Sequence, residues 1–209
     1  MPLRRKEKVI CLFCLLKLPK TGFKYQTENP IEQLFRGRVS IEGANSFMYF
    51  TKSGLAQRLM HDIKYGGNQA LGIQLGKFFG EALLEDPGFI KPDVLIAVPL
   101  HPTKLKKRGY NQSELIALGL SERLGIAYRT DILVRARHTD TQTRKKRYER
   151  WENMKDGFMV TGDASLRGKR LAIVDDVVTT GATLEACSEI LIEELSVAVG
   201  LLTLCVAIR

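Results

Sequence analysis

The string Ile173-Val174-Asp175-Asp176-Val177-Val178-Thr179-Thr180-Gly181-Ala182-Thr183 constrains this chain more than any other stretch. It joins an apolar run of strand length, Arg-Leu-Ala-Ile-Val at 170–174, to a stretch of helical period over 182–195. Strand, polar turn and helix in that order read as part of a βαβ unit, whose ligands sit at the carboxyl ends of the strands. Hydroxyls at 179, 180 and 183, with N–H groups around the small Gly181 and Ala182 at a helix N-terminus, make a cradle for a phosphate. Asp175 and Asp176 have no basic neighbour inside the string, so something outside it must justify two acids at a strand end. The vicinal hydroxyls of a ribose, or a Mg²⁺ shared with phosphate oxygens, would do so. Helix capping explains Thr-Thr-Gly alone but not the whole string.

The same alternation occurs elsewhere. Val94-Leu95-Ile96-Ala97-Val98 reads as a strand buried on both faces, ended by Pro99. A long polar loop carrying Lys104, Lys106, Lys107 and Arg108 follows, then a helix that begins near Gln112 and closes at Gly125. Two further helices are predicted over 55–63 and 70–84, separated by Gly66-Gly67, and a last strand over 198–208. The expected fold class is therefore α/β, a central parallel sheet flanked by helices. Residues 1–50 show no sustained apolar period and read as a small irregular module, which leaves 51–209 as the main domain. Residues 136–156 are nearly free of aliphatics and too long for an ordinary connection.

The formal net charge is +9, concentrated in three windows. Residues 1–24 hold seven Lys/Arg against one acid, 99–112 four against none, and 135–150 seven against two, so the remainder is net negative. Focused positive charge suits a polyanion, either nucleotide phosphates or nucleic acid. The longest apolar run, 197–208, is about half of the roughly 20 residues that span a bilayer. No membrane insertion is expected. The basic N-terminus leads into an apolar segment that lacks a cleavage site, and the four cysteines form no secreted disulfide framework, which reads as cytoplasmic. Cys11-x-x-Cys14 supplies two of the four ligands that tetrahedral Zn²⁺ takes. Cys187 and Cys205 fall inside a predicted helix and strand, so bound zinc is not the expectation. His61, His101 and His138 are scattered and suggest no ligand set.

The 173–183 string resembles the signature with which type I phosphoribosyltransferases bind 5-phosphoribosyl 1-diphosphate (PRPP): aliphatics, two acids, two aliphatics, then Thr/Ser-Thr-Gly-x-Thr. That resemblance implies their fold, with a flexible hood over the site. It implies that Asp175 and Asp176 face the ribose hydroxyls and Mg²⁺, and that Thr179, Thr180, Gly181, Ala182 and Thr183 wrap the 5′-phosphate. The loop after the other strand, with Leu100, Lys104 and Arg108, is implied to hold the diphosphate, and Asp175, Asp176 and Arg108 to carry the reaction. Thr179 stands where 6-oxopurine salvage enzymes place an acid, so that chemistry is disfavoured.

Pro-Leu-His-Pro at 99–102 followed by Arg-Gly-Tyr-Asn-Gln at 108–112 is similar to the ComF family, phosphoribosyltransferase-like proteins named for competence for DNA uptake. In that family the segment 137–153, with Thr141, Gln142, Arg144, Arg147, Arg150 and Asn153, corresponds to the hood. Tyr148 and Trp151 read there as packing residues. Tyr110, Asn111 and Gln112 are the acceptor-binding candidates, and the Cys11–Cys14 segment looks like part of a zinc ribbon. The expectation is an enzyme that transfers phosphoribosyl from Mg-PRPP to an unidentified amine or base nitrogen, releasing diphosphate. The alternative is a PRPP sensor or single-stranded-DNA-binding partner of DNA-uptake proteins. A homodimer is compatible with either.

Overall fold

Five parallel strands in the order β1-β7-β6-β2-β3 make the central sheet: β1 (Gly43–Tyr49), β2 (Val94–Ala97), β3 (Ala127–Arg129), β6 (Arg170–Val178) and β7 (Ala198–Val206). The computed structural model describes residues 9–135 and 157–207. Because both sheet faces are covered, the central strands are apolar over most of their length. On one face lie α3 (Leu55–Tyr65), α4 (Gln69–Leu84) and α6 (Gln112–Leu124), which bury Met60, Ile63, Leu75, Phe79 and Ile116 against Ala172, Val174 and Leu202. The other face holds α2 (Pro30–Phe35) and the helix at Ala182–Leu195, here α7, with Ile31, Phe35, Leu184 and Ile190 against Ile173 and Leu201. A short antiparallel ribbon, β4 (Leu133–Arg135) and β5 (Phe158–Val160), packs on that second face.

Where α4 and α6 come closest, at Gly76 and Gly119, backbone meets backbone. A Cβ on Gly76 would strike the Ile116 carbonyl, and one on Gly119 the Ile73 carbonyl, so both glycines set the approach of the two backbones. Gly43 and Gly200, opposite each other in the register of β1 and β7, leave room for the ring of Tyr25.

The predicted helices and the parallel sheet are present, with three differences. First, the irregular module does not extend to residue 50: β1 lies within it and pairs with β7 as the edge of the main sheet, and α2 packs on the core. Second, β6 continues to Val178, so Asp175 and Asp176 are strand residues and not part of a loop. Third, the cationic loop contains a helix, α5 (Pro102–Arg108). The His101 imidazole caps it by accepting the Thr103 N–H, Pro102 begins it with a ready-set φ, and Gly109 ends it at φ +83°. Three cations in its last turn oppose the negative end of the helix dipole.

Candidate active site

The carboxyl ends of β6 and β2 lie side by side. Ala97 pairs with Val174, and the Val98 N–H donates to the Val174 carbonyl at 3.0 Å, so the segment leading into α5 starts beside Asp175. This adjacency of neighbouring parallel strands brings the two polyanion-suited motifs to one edge. Together they line a cavity of about 640 Å³ whose walls include Val98, Leu100, Lys104, Lys107, Arg108, Asp175, Asp176 and Thr183.

Asp175 Oδ1 accepts from the Ser113 hydroxyl (2.9 Å) and from the backbone N–H of Asp176 (2.8 Å). Burial, then the neighbouring Asp176 charge, raise the Asp175 pKa to about 7, against the opposing pull of those donors and of Lys64. Asp176 is 6% exposed, and its Oδ2 lies 2.6 Å from Lys64 Nζ, itself largely enclosed at the end of α3. Lys64 is thus the external justification that two adjacent acids require. The sequence hid it, because a lysine in the last turn of a helix already has an ordinary reason to be there.

Residues 179–181 form the turn between β6 and α7, and Ala182 and Thr183 begin α7. A shallow dimple of about 40 Å³, lined by Asp175 and by residues 177–184, adjoins the large cavity and shares Asp175, Val177 and Thr183 with it. Gly181 sits at φ +80°, where L side chains are strained, and a Cβ there would approach Phe35 Cζ to 2.8 Å. The turn is therefore braced from below by α2. Arg38, just past α2, donates to the Thr180 carbonyl (2.9 Å) and the Leu34 carbonyl (3.1 Å) and makes a two-pronged pair with Glu185 in the first turn of α7. Nothing in its sequence surroundings marked Arg38. It reaches the turn only because α2 packs under β6 and α7.

Of the cations of α5, Lys104, Lys107 and Arg108 line the cavity. The Arg108 guanidinium hydrogen-bonds Gln112 Oε1 and stands 5.4 Å from the centre of the Tyr65 ring. The three acceptor candidates have structural work. The Tyr110 hydroxyl donates to the Ile63 carbonyl at 2.5 Å, tying the α5–α6 junction to the end of α3. Asn111 is buried at 2% exposure, caps α6 by accepting the Ser113 N–H and donates to the Val98 carbonyl; it is not part of the cavity wall. Gln112 lines the cavity but spends its carbonyl on Arg108.

Arg135, the last residue of β4, also reaches the cavity, with its guanidinium 4.7 Å from the centre of the Phe158 ring. Arg135 and Phe158 are paired across the ribbon, so the chain leaves and re-enters the described region at one point beside the cavity. The hood residues Thr141, Gln142, Arg144, Arg147, Tyr148, Arg150, Trp151 and Asn153, and His138, lie outside the described residues.

Among the described residues no cluster of three His, Cys, Asp or Glu side chains is arranged to hold a metal ion. Asp175 and Asp176 have the hard oxygens that Mg²⁺ takes, but Asp176 is paired with Lys64 and Asp175 accepts two hydrogen bonds. A Mg²⁺ held by Asp176 Oδ2 would have to displace Lys64. Cys11 Sγ accepts the Cys14 N–H at 3.4 Å, a half-site without further ligands among the described residues. Cys187 and Cys205 are wholly buried on opposite faces of the sheet, and burial raises both thiol pKa values. No helix among the described residues is long and apolar enough to cross a membrane.

Comparison with known proteins agrees with the geometry. Residues 110–208 match the phosphoribosyl transferase domain. The chain is 30% identical over 150 residues to the DNA utilization protein YhgH of Salmonella typhi, covering 70% of this chain and 65% of that protein. It is 37% identical over 111 residues to competence protein F of Haemophilus influenzae, covering 51% and 48%. It is 32% identical over 119 residues to competence protein ComFC of Streptococcus pneumoniae, covering 57% and 50%. The alignments thus span less than two thirds of these relatives' own lengths. With a parallel sheet that carries the acid pair at the end of β6, the Arg38-braced turn beside it, and these relatives, the chain belongs to the ComF family of type I phosphoribosyltransferase-like proteins.

Proposed function

We propose that the chain binds Mg-PRPP in this cavity and transfers the phosphoribosyl group to an amine or base nitrogen. One observation carries the reading: the acid pair, the 179–183 segment and the cations of α5 converge on one cavity and its adjoining dimple. A ribose with phosphate at C5′ and diphosphate at C1′ matches that distribution, with anion-suited donors at the two ends and hydroxyl acceptors between them. In this reading Asp175 and Asp176 accept from the ribose hydroxyls. Hydroxyls and N–H groups of residues 179–183 take the 5′-phosphate, and Lys104, Lys107 and Arg108 take the diphosphate, beside the backbone of Leu100.

Mg²⁺ bound to the substrate would supply neutralisation of the diphosphate charge. The acceptor nitrogen lone pair forms the bond to C1′ as the C1′–O bond breaks, the electron pair leaving on diphosphate, and the nitrogen loses its proton to water. The configuration at C1′ inverts. Orientation and electrostatic stabilisation of the leaving group are what the residues supply. The test is calorimetry with PRPP and Mg²⁺, followed by an assay of diphosphate release across amine and base acceptors with a no-acceptor control. Saturable binding with acceptor-dependent release supports the enzyme; absence of both refutes it.

A second reading, a PRPP-responsive or single-stranded-DNA-binding partner in DNA uptake, is favoured by relatives named for DNA utilization and competence. Strand binding measured against salt with and without PRPP separates the two. Competition places both polyanions on the α5 cations, whereas an unaffected salt slope places DNA elsewhere.

A further inference from the structure

The end of α3 is more constrained than a helix terminus needs to be. Gly66 closes the helix through its N–H on the Asp62 carbonyl, a Cβ at Gly66 would strike the Asp62 side chain, and Gly67 turns the chain at φ +72°. The Asp62 carboxylate also accepts from Asn68 Nδ2 at 2.8 Å. From the other side the Tyr110 hydroxyl holds the Ile63 carbonyl. These contacts fix the backbone on both sides of Lys64, which delivers its ammonium to Asp176 Oδ2 at 2.6 Å on the cavity wall. Tyr65, the next residue, stands beside the Arg108 guanidinium. The turn thus places one cation on the acid pair and an aromatic ring against another cation.

A buried carboxylate beside a second carboxylate is costly unless a cation answers it. In a nucleotide site that cation is commonly a metal ion held by one or two carboxylates and by substrate phosphates. Here Asp176 Oδ2, buried and without a hydrogen-bond donor, has the Lys64 ammonium 2.6 Å away.

We propose that Lys64 is the built-in counter-cation of the acid pair and a positioning residue for the ribose, standing where a metal ion would otherwise be required. Asp176 then meets the ribose as a lysine-held carboxylate, and divalent metal enters only with the diphosphate. The proposal rests on the PRPP reading for the identity of the ligand, but not for the Lys64–Asp176 relation itself.

Two measurements test it. The first uses substrate-free protein and Mn²⁺, whose free ion is counted by electron paramagnetic resonance. Wild-type protein is expected to take up no Mn²⁺ at Asp176 at micromolar concentration, and K64M to gain a Mn²⁺ site that K64M/D176N lacks. A stoichiometric wild-type site abolished by D176N overturns the proposal, as does a folded K64M that gains none. Should K64M not fold, the wild-type and D176N pair still decides.

The second is calorimetry with ribose 5-phosphate and, separately, inorganic diphosphate, each with Mg²⁺ or with chelator. Wild-type affinity for ribose 5-phosphate is expected to be independent of Mg²⁺ and that for diphosphate to depend on it. K64M is expected to weaken ribose 5-phosphate at least tenfold in chelator, with recovery by K64R. A wild-type ribose 5-phosphate affinity that rises tenfold with Mg²⁺ overturns the proposal. If neither ligand binds wild-type protein, the PRPP reading and the ribose role both fall, while the Mn²⁺ result still reports on Lys64 as counter-cation.

Discussion

Ser113 Oγ donates a 2.9 Å hydrogen bond to Asp175 Oδ1, tying the first turn of α6 to the carboxyl end of β6. Ser113 is 1% exposed, at the edge of the cavity. S113A is therefore expected to cost about 1–2 kcal/mol of stability in urea denaturation, the range for a lost hydrogen bond to a buried polar group. It also leaves the carboxyl less favoured as an anion, so affinity for PRPP should fall with it. A variant as stable as wild type with unchanged affinity would show that this bond orients nothing.

Asp175 also sets a pH dependence of opposite sign to that of a carboxylate held by an ion pair, because burial disfavours its charged form. Its pKa in the folded chain is raised from 3.8 to about 7, so between those values the folded state holds a proton that the unfolded chain has lost. Stability from this group is therefore greatest at low pH and declines as pH rises through that window, levelling off above it. Subtracting the profile of D175N from that of wild type isolates the effect. A wild-type minus D175N difference that is flat, or that grows with pH, contradicts the assignment.

Arg38 braces the turn between β6 and α7, proposed to take the 5′-phosphate, from outside the cavity. Its guanidinium joins the Thr180 carbonyl to Glu185, so one side chain sets both the turn and the first turn of α7. Removing it frees the turn and takes one cation from beside Glu185, near the place proposed for a phosphate. R38A is expected to weaken ribose 5-phosphate by roughly tenfold, about 1.4 kcal/mol, with little change for inorganic diphosphate, which uses α5. Equal losses for both ligands in parallel titrations would make the role of Arg38 global rather than local.

What was legible in the sequence follows from which signals are local. β6 and α7 announce themselves because an apolar run, a Thr-Thr-Gly turn and a helical period follow in order. The extent of β6 was not legible. Asp175 and Asp176 look like loop residues, and only Lys64 and Ser113, brought from distant positions, make them tolerable in a strand. β1 escaped because Gly43, Asn45 and Ser46 are poor strand formers, yet Gly43 is there to admit the Tyr25 ring and Asn45 Nδ2 donates to the Phe23 carbonyl. The cations of α5 read as a loop, since its start and stop signals, His101-Pro102 and Gly109, enclose only seven residues. In the site, the acids and the α5 cations were readable from their motifs. Lys64 and Arg38 were not, since each acts through a contact that exists only after the sheet and its helices have assembled.

The crossing of α4 and α6 gives a prediction in which two effects compete. Replacing a helix-interior glycine by alanine ordinarily favours the helix by about 1 kcal/mol. At Gly119 the added methyl would meet the Ile73 carbonyl, and it would lie 2.9 Å from Gly76 Cα and from the Lys77 nitrogen, all backbone atoms of α4. Backbone cannot move aside as a rotamer can, so overpacking wins and G119A is expected to lose about 1–3 kcal/mol in urea denaturation. At Gly72 the nearest neighbours are the Leu115 side chain at 3.1 and 3.4 Å and an Ile63 methyl at 3.6 Å, which can shift slightly. G72A should therefore be within about 0.5 kcal/mol of wild type, the propensity gain offsetting the local crowding. Because α6 carries Ser113 at its first turn, G119A should also weaken PRPP binding while G72A leaves it unchanged. The reverse order of stabilities would mean that the two helices separate more easily than the backbone contacts at Gly76 and Gly119 allow.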